Sequence, residues 1–314
     1  MIDMAAGILV ATVVAGTPIV YAALGELVTE RSGVLNLGVE GMMLCGAVSG
    51  FLASTLTGSL WLGVGAGMLA GAVLAFLFGV LAISFKANQV AVGLALAIFG
   101  TGLSSFIGKK YVGQTVVLEP SALSGALGKL PLVGGLLGQF HPLVWLSWAL
   151  LGAIWWFLYR THAGLVLRAV GESPRSAYAL GYKVVRIRYL TTLFGGAMAG
   201  VGGAYISLVY TSLWTEGLVA GRGWIAVGLV VFATWRPGRC LLGAYLFGGV
   251  STAQLFAQGA GARVPTELMS ALPYLATIMV LVLISRDARL IRLNVPASLG
   301  KPFHAESRNP SRPD

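Results

Sequence analysis

RTHAGLVLRAVGESPRSAYALGYKVVRIR, residues 160–188, is a long polar interruption between two apolar runs of membrane length, and its charge decides how the chain is threaded. Six basic residues, Arg160, Arg168, Arg175, Lys183, Arg186 and Arg188, stand against one acid, Glu172. Lys/Arg-rich loops beside apolar spans are retained on the cytoplasmic side. The stretch therefore faces inward and sets the direction of every span around it. Within it, residues 172–181 carry the punctuation of a short helix: Ser173 as N-cap, Pro174 at the first helical position and Gly181 just past the end. A short capped helix on that face is a docking surface. An ordinary positive-inside loop with one helical turn is the plainer reading, and composition alone favours it.

The whole chain has the composition of a polytopic membrane protein. It is 57% hydrophobic and 10% charged, with a mean hydropathy of +0.84, whereas soluble domains carry about a quarter charged residues. A net charge of +10 invites a nucleic-acid reading, but such a footprint needs basic residues gathered on a soluble face. Here they lie between apolar runs, so no nucleic-acid partner is expected and the lipid bilayer is the solvent. The first residues lack Lys and Arg and include Asp3, unlike the basic start of a secretory signal, and read as a retained span. Cys45 and Cys240 fit neither a metal spacing nor a disulfide framework and read as small packing residues.

A spanning helix needs about 20 mostly apolar residues. Nine stretches qualify: 7–24, 37–56, 60–83, 90–107, 142–159, 189–212, 218–235, 240–257 and 268–285. The predicted fold class is all-α, a helical transmembrane bundle with the N-terminus outside and the C-terminus inside. With the 160–188 loop placed inside, 16 of the 21 Lys and Arg residues lie on the cytoplasmic side, and five (Lys109, Lys110, Lys129, Arg222, Arg263) lie outside. The opposite threading inverts that ratio. Residues 1–285 form the transmembrane domain. Residues 286–314 form a basic cytoplasmic tail, expected to be disordered beyond Pro296. The loop 108–141 is long enough to carry a short helix of its own, and Pro237-Gly238 marks a tight turn joining antiparallel spans. Glycines at four-residue spacing, Gly63, Gly67, Gly71 and again Gly196, Gly200, allow close helix contact where lipid offers no hydrophobic drive for association.

Two polar intrusions are candidates for chemistry. GELVTERSGVLNLGVEGMM (25–43) brings Glu26, Glu30, Arg31, Asn36 and Glu40 up to or into apolar sequence, and ionisable residues at membrane depth face a cavity or a partner. Glu40 is either functional or paired with Arg31. Gly33, Gly38 and Gly41 around it suggest a broken helix, tolerated only where backbone lines protein or water. TEGLVAGRGWIAVG (215–228) is expected at the outer mouth of the seventh span, with Arg222 reaching Glu216 or the solute entrance, or anchoring at the interface with Trp224.

No G-x-x-x-x-G-K-[ST] is present, so this chain has no P-loop of its own. There is no H-E-x-x-H, no nucleophile pattern and no histidine cluster, since His141, His162 and His304 lie far apart. The chain is not expected to be an enzyme or to bind a cofactor. Deep acids and histidines look nearly absent, which weighs against a proton relay.

SGVLNLGVEGMM (32–43), the loop 168–188 and AGRGWIA (220–226), in that order, resemble the permeases of bacterial ABC importers of the ribose and branched-chain amino-acid class, closest to the nucleoside branch. The resemblance covers about residues 17–286. It implies a subunit of the bacterial cytoplasmic membrane that moves an uncharged polar solute, most naturally a nucleoside, alternatively a simple sugar such as ribose. It implies three protein partners: a cassette subunit that uses ATP and Mg, a second permease subunit, and an extracytoplasmic solute-binding lipoprotein or periplasmic protein. By the same resemblance Glu172, Ser173, Pro174, Arg175, Ala177 and Gly181 form the coupling helix. Asn36, Gly38, Glu40 and Gly41, with Ser207 and Tyr210, line the translocation path, and Glu216, Gly221, Arg222 and Gly223 form an outer gate. Ribose-type permeases carry an additional first span, whose absence turns ten spans into nine. An ion-gradient transporter is the alternative from another class, and it calls for midplane carboxylates and an inverted repeat.

Overall fold

Helix α1 (Ile2–Arg31) starts with the first apolar run but does not stop where that run stops. The span expected over 7–24 continues through Glu26 and Glu30, and both carboxylates are fully buried. The helix survives because distant groups supply hydrogen-bond donors: the Asn36 backbone N–H to Glu26 Oε1 at 2.9 Å and Trp235 Nε1 to Glu30 Oε2 at 2.6 Å. Buried acids are tolerated when partnered, and no local pattern shows those partners. The expectation that deep acids are nearly absent is thereby corrected.

The computed structural model describes residues 2–116, 138–259, 271–276, 278, 279 and 294–304. After α1 come α2 (Val39–Thr57), α3 (Leu60–Gly79, running on as a π-helical turn Val80–Ser84), α4 (Gln89–Gly108) and α5 (Pro142–Arg160). Then follow α6 (His162–Glu172), α7 (Pro174–Ala179), α8 (Val184–Tyr205, with a π-helical turn Ile206–Tyr210), α9 (Arg222–Phe232) and α10 (Pro237–Gly259). Local chemistry sets several of the helix starts. Asn88 accepts from the N–H groups of Val90 and Ala91, His141 precedes Pro142 and accepts from Leu143 N–H, and Thr161 accepts from Gly164 N–H. Each satisfies donors that the first helical turn leaves open.

Seven helices among the described residues are long and apolar enough to cross a membrane. The seventh expected span, 218–235, is not one of them. Its helix, α9, has 11 residues, a rise of about 16 Å against a hydrocarbon core of about 30 Å. The expected ninth span falls mostly outside the described residues, as does most of the loop 108–141. Of that loop, Lys109–Tyr111 forms a 3₁₀ turn and Thr115 pairs antiparallel with Leu213.

The bundle is organised around α1, α2 and α8. In the most apolar window, 72% of residues are buried in α2 and α8 and 61% in α1, against 28% in α4, α5 and α10, so the last three present most of their surface outward. Helix α8 packs on α1, α2 and α3, and α1 also packs on α9 and α10. Glycine makes the α3–α8 contact: a Cβ on Gly200 would run into the Gly67 carbonyl, and one on Gly71 into the Gly196 carbonyl. Gly200→Val is therefore expected to lower stability by about 3 kcal/mol, the upper end for overpacking. The readout is thermal unfolding in detergent; an unchanged melting temperature would show that the helices do not depend on this approach. Cys45 and Cys240 are both free and buried, as expected of packing residues.

The expectation of disorder beyond Pro296 fails over the described part of the tail. Ser298 is 6% exposed; its Oγ donates to the Gly171 carbonyl at 2.6 Å and accepts from Arg188 Nη2 at 3.1 Å. Composition rich in Pro and Ser suggests no core, but buried polar partners elsewhere in the chain hold this segment down.

Candidate functional site: a carboxylate latch and a docking face

The chain between α1 and α2 turns at Ser32-Gly33 and folds back along α1, since Asn36 reaches Glu26, more than one helical turn before the end of that helix. Asn36 Oδ1 accepts from Gly38 N–H at 2.9 Å, and α2 starts one residue later. Glu40 thus lies in the first turn of α2, where a negative charge suits the helix dipole.

Its carboxylate also closes the start of a second helix. Oε1 accepts from the Gly221 N–H at 2.9 Å and Oε2 from the Gly223 N–H at 2.7 Å. A helix begun inside a membrane leaves bare N–H groups that lipid cannot satisfy, and Glu40 supplies the acceptors. The depth follows from α9 itself. Just past its far end, Trp235 contacts Glu30, at the end of α1 that carries Arg31. Along α9 the Glu40 latch therefore lies about 16 Å from that end of α1. Gly223 is fitted to the spot: a Cβ there would meet the Glu40 backbone at 2.5 Å.

The sequence resemblance puts Glu40 in the path and Gly221 and Gly223 in the outer gate; the structure brings these three together. It does not bring Arg31 to Glu40. Arg31 donates to the carbonyls of Trp235 and Asn294. Nor does Arg222 reach Glu216. Its Nη1 donates to the carbonyls of Leu218 and Val219, its guanidinium lies 5.3 Å from the centre of the Tyr210 ring, and Glu216 is exposed. Asn36 and Ser207 are fully buried, Ser207 donating to the Ala47 carbonyl at 2.8 Å, and Gly38 and Gly41 pack toward α4. Those four brace the helices, while Tyr210 lines an open cleft with Arg222.

The second part of the site is the 160–188 loop. Ser173 caps α7 by accepting from Ser176 N–H, with Pro174 at the first position, and Gly181 has φ +88°, as its pattern required. Ala177 is the anchor, 2% exposed and packed with Val170, Val184 and Phe303. Glu172, Arg175 and Gly181 are exposed beside Tyr178 and Leu180, so this helix offers a charged and apolar outer face. Sequence reading missed α6, although its buried residues Gly164, Leu167, Val170 and Gly171 repeat at helical spacing behind the Thr161 cap. It also counted Arg188 as one more topological charge, whereas Arg188 is 2% exposed and structural.

Residues 8–283 match the family model described as the permease component of the branched-chain amino acid transport system. The chain belongs to this permease family. It is a multi-pass protein of the cytoplasmic membrane, a transport component rather than an enzyme. This permease is 42% identical to TsgC13 of Haloferax volcanii over 97% of its own length and 99% of the relative's; that protein's name makes it a permease of glucose ABC transport. The guanosine ABC transporter permease NupQ of Bacillus subtilis is 30% identical, covering 93% and 95%. The nucleoside ABC transporter permease NupC of Lactococcus lactis is 29% identical, covering 85% and 88%. No solved structure matches the chain.

Proposed function

We propose that this permease is the membrane half of an ATP-driven importer for an uncharged polar solute, a nucleoside or a simple sugar, with ATP and Mg handled by a separate cassette subunit. The observation that carries the reading is α7: a capped helix held from below by Ala177, with Glu172, Arg175, Tyr178 and Leu180 presented to whatever docks there. Ser173 and Pro174 start that helix and Gly181 ends it, so a groove on the cassette subunit receives a rigid body. Closure of the cassettes on ATP drags it, and the motion reaches the α1–α2 link and the Glu40 latch as a two-state rearrangement. The path runs beside Asn36, Gly38, Gly41, Ser207 and Tyr210, and Glu216, Gly221, Arg222 and Gly223 form its gate. The choice of an uncharged solute rests on Glu40. The α9 N-terminus, a place where an anionic solute would bind in a broken-helix transporter, is already occupied by the protein's own carboxylate. A second permease subunit and an extracytoplasmic receptor protein complete the assembly.

The Glu26–Glu30 pair, each with one carboxylate oxygen lacking a partner among the described residues, is a feature that favours ion coupling. Uptake of labelled guanosine and glucose into vesicles carrying the complete complex separates the two readings. Import that stops with a cassette unable to hydrolyse ATP, and survives collapse of the ion gradients, is the expected result. Import that persists without hydrolysis rejects the scheme.

A further inference from the structure

Helices α5 and α8 both pack against α1, and between them runs a groove of about 340 Å³. Val28 of α1, Ile154 and Phe157 of α5, Leu167 of α6, and Leu190 and Phe194 of α8 wall it. Its lining extends on α5 from Leu150 to Phe157, a length of about 10 Å along that helix. The walls are hydrocarbon apart from Thr191, whose hydroxyl is directed to Ser32 Oγ at 2.9 Å. A polar solute finds no partner here. Leu190, 57% exposed, leaves the groove open at the side of the bundle.

One end of the groove is basic. Each wall reaches an arginine within one helical turn: Val28 precedes Arg31, Phe157 precedes Arg160, Leu167 adjoins Arg168, and Leu190 follows Arg186. The Arg168 guanidinium lies 5.4 Å from the centre of the Tyr159 ring, and that of Arg160 lies 5.9 Å from the centre of the Trp155 ring. Neither guanidinium makes a hydrogen bond or an ion pair among the described residues. Arg31, which donates to the carbonyls of Trp235 and Asn294, adds a like charge beside Arg168. Trp155, Trp156 and Tyr159 are exposed at this end of α5, and such aromatic residues collect at the level of lipid headgroups.

We infer that the groove holds an acyl chain of an anionic phospholipid whose phosphate lies against Arg160 and Arg168. A hydrocarbon slot that ends at cations without a counter-charge matches a phospholipid part for part, and basic pockets between membrane helices take anionic headgroups. A second copy of this chain fits the groove poorly, because a twofold interface brings the same patch, with the same arginines, to the same mouth. A lipid of neutral headgroup covers the walls but leaves the arginines uncompensated. The seated lipid joins α5 to α8 beside α6, and only Ser173 separates α6 from α7. Occupancy therefore stiffens the base on which the docking helix stands.

The test uses the complete complex in phosphatidylcholine proteoliposomes that contain a small fraction of phosphatidylglycerol with a photoreactive acyl chain. Peptide mapping is expected to find label in residues 150–157 and 190–194. Unlabelled phosphatidylglycerol should displace that label about thirtyfold more effectively than phosphatidylethanolamine, the effect of two arginines at a membrane surface. Arg160→Gln combined with Arg168→Gln should remove the preference. Ala153→Trp, which fills the groove from α5, should remove the label itself, and Lys183→Gln, an exposed charge on the same loop, should change neither. Label spread evenly over α3 and α4 with no headgroup preference marks ordinary bilayer contact and overturns the site. A groove without label in the wild-type complex is covered by protein, which also overturns it. Displacement by soluble glycerol phosphate as effective as by the lipid would reduce the site to a phosphate contact and remove the acyl chain from the groove. Wild-type label and preference in both the arginine and the Ala153 variants overturn it equally.

Discussion

Glu40→Ala is expected to abolish solute uptake while the protein still inserts into the membrane. The side chain closes two backbone donors, Gly221 N–H and Gly223 N–H, and it is itself buried, 8% exposed. Each buried donor left open costs about 1–3 kcal/mol, so the substitution removes roughly 2–6 kcal/mol from the α2–α9 contact, out of a total stability of about 5–15 kcal/mol. The long helices α1, α2, α3 and α8 hold one another through contacts that do not involve this carboxylate, which is why insertion persists. The start of α9 depends on it more directly, since Gly221 and Ala220 both carry positive φ and two of its first backbone N–H groups end on this carboxylate. Glu40→Gln keeps one acceptor oxygen and is expected to retain partial uptake. The ordering wild type, Gln, Ala in initial uptake rates, at matched membrane levels, is the measurement; equal rates for wild type and Ala would show that the latch is not part of the moving machinery.

What could be read in the residues alone depended on how far apart the interacting groups lie. Helix α7 was legible to the residue because every signal for it, Ser173, Pro174 and Gly181, sits within nine positions. The glycine seam between α3 and α8 was legible as a spacing, although not as a pairing. Helix α1 was shortened in the reading because Glu26 and Glu30 look like loop residues until Asn36 and Trp235 are brought to them. Helix α9 was lengthened for the opposite reason. Its flanks are apolar enough to pass for a span, but Trp214 and Val219, both fully buried, belong to irregular chain packed inside the protein, which hydropathy cannot tell from helix. The partners of Glu40 lie 181 and 183 residues away, and no local rule joins them. The tail misled through composition, because its order comes from Arg188.

That arginine carries the second large effect. Arg188 sits near the start of α8, with Nη2 donating to Ser298 Oγ and Nη1 to the Lys301 carbonyl at 3.1 Å. Ser298 in turn donates to Gly171 at the end of α6, Gly300 N–H reaches the Gly33 carbonyl in the α1–α2 link, and Phe303 packs behind α7 against Ala177. One short segment of tail therefore touches the docking face, the link that leads to Glu40 and the base of the central helix. If force enters through α7, this strap is a route by which it reaches the α1–α2 link. A chain ended before Asn294 should still present the outer face of α7 and still recruit its cassette partner. Arg188→Ala opens the same strap at one point, with about 1.5–3 kcal/mol at stake for a hydrogen bond to a charged group. Both are expected to lower solute import by about tenfold at that cost, with less loss in ATP hydrolysis, so that more ATP is consumed per solute moved. The measurement is the ratio of hydrolysis to uptake in the same proteoliposomes. A ratio equal to that of the wild type in the truncated chain would mean that force travels from α7 through α6 and α8 alone, and that the tail only covers them.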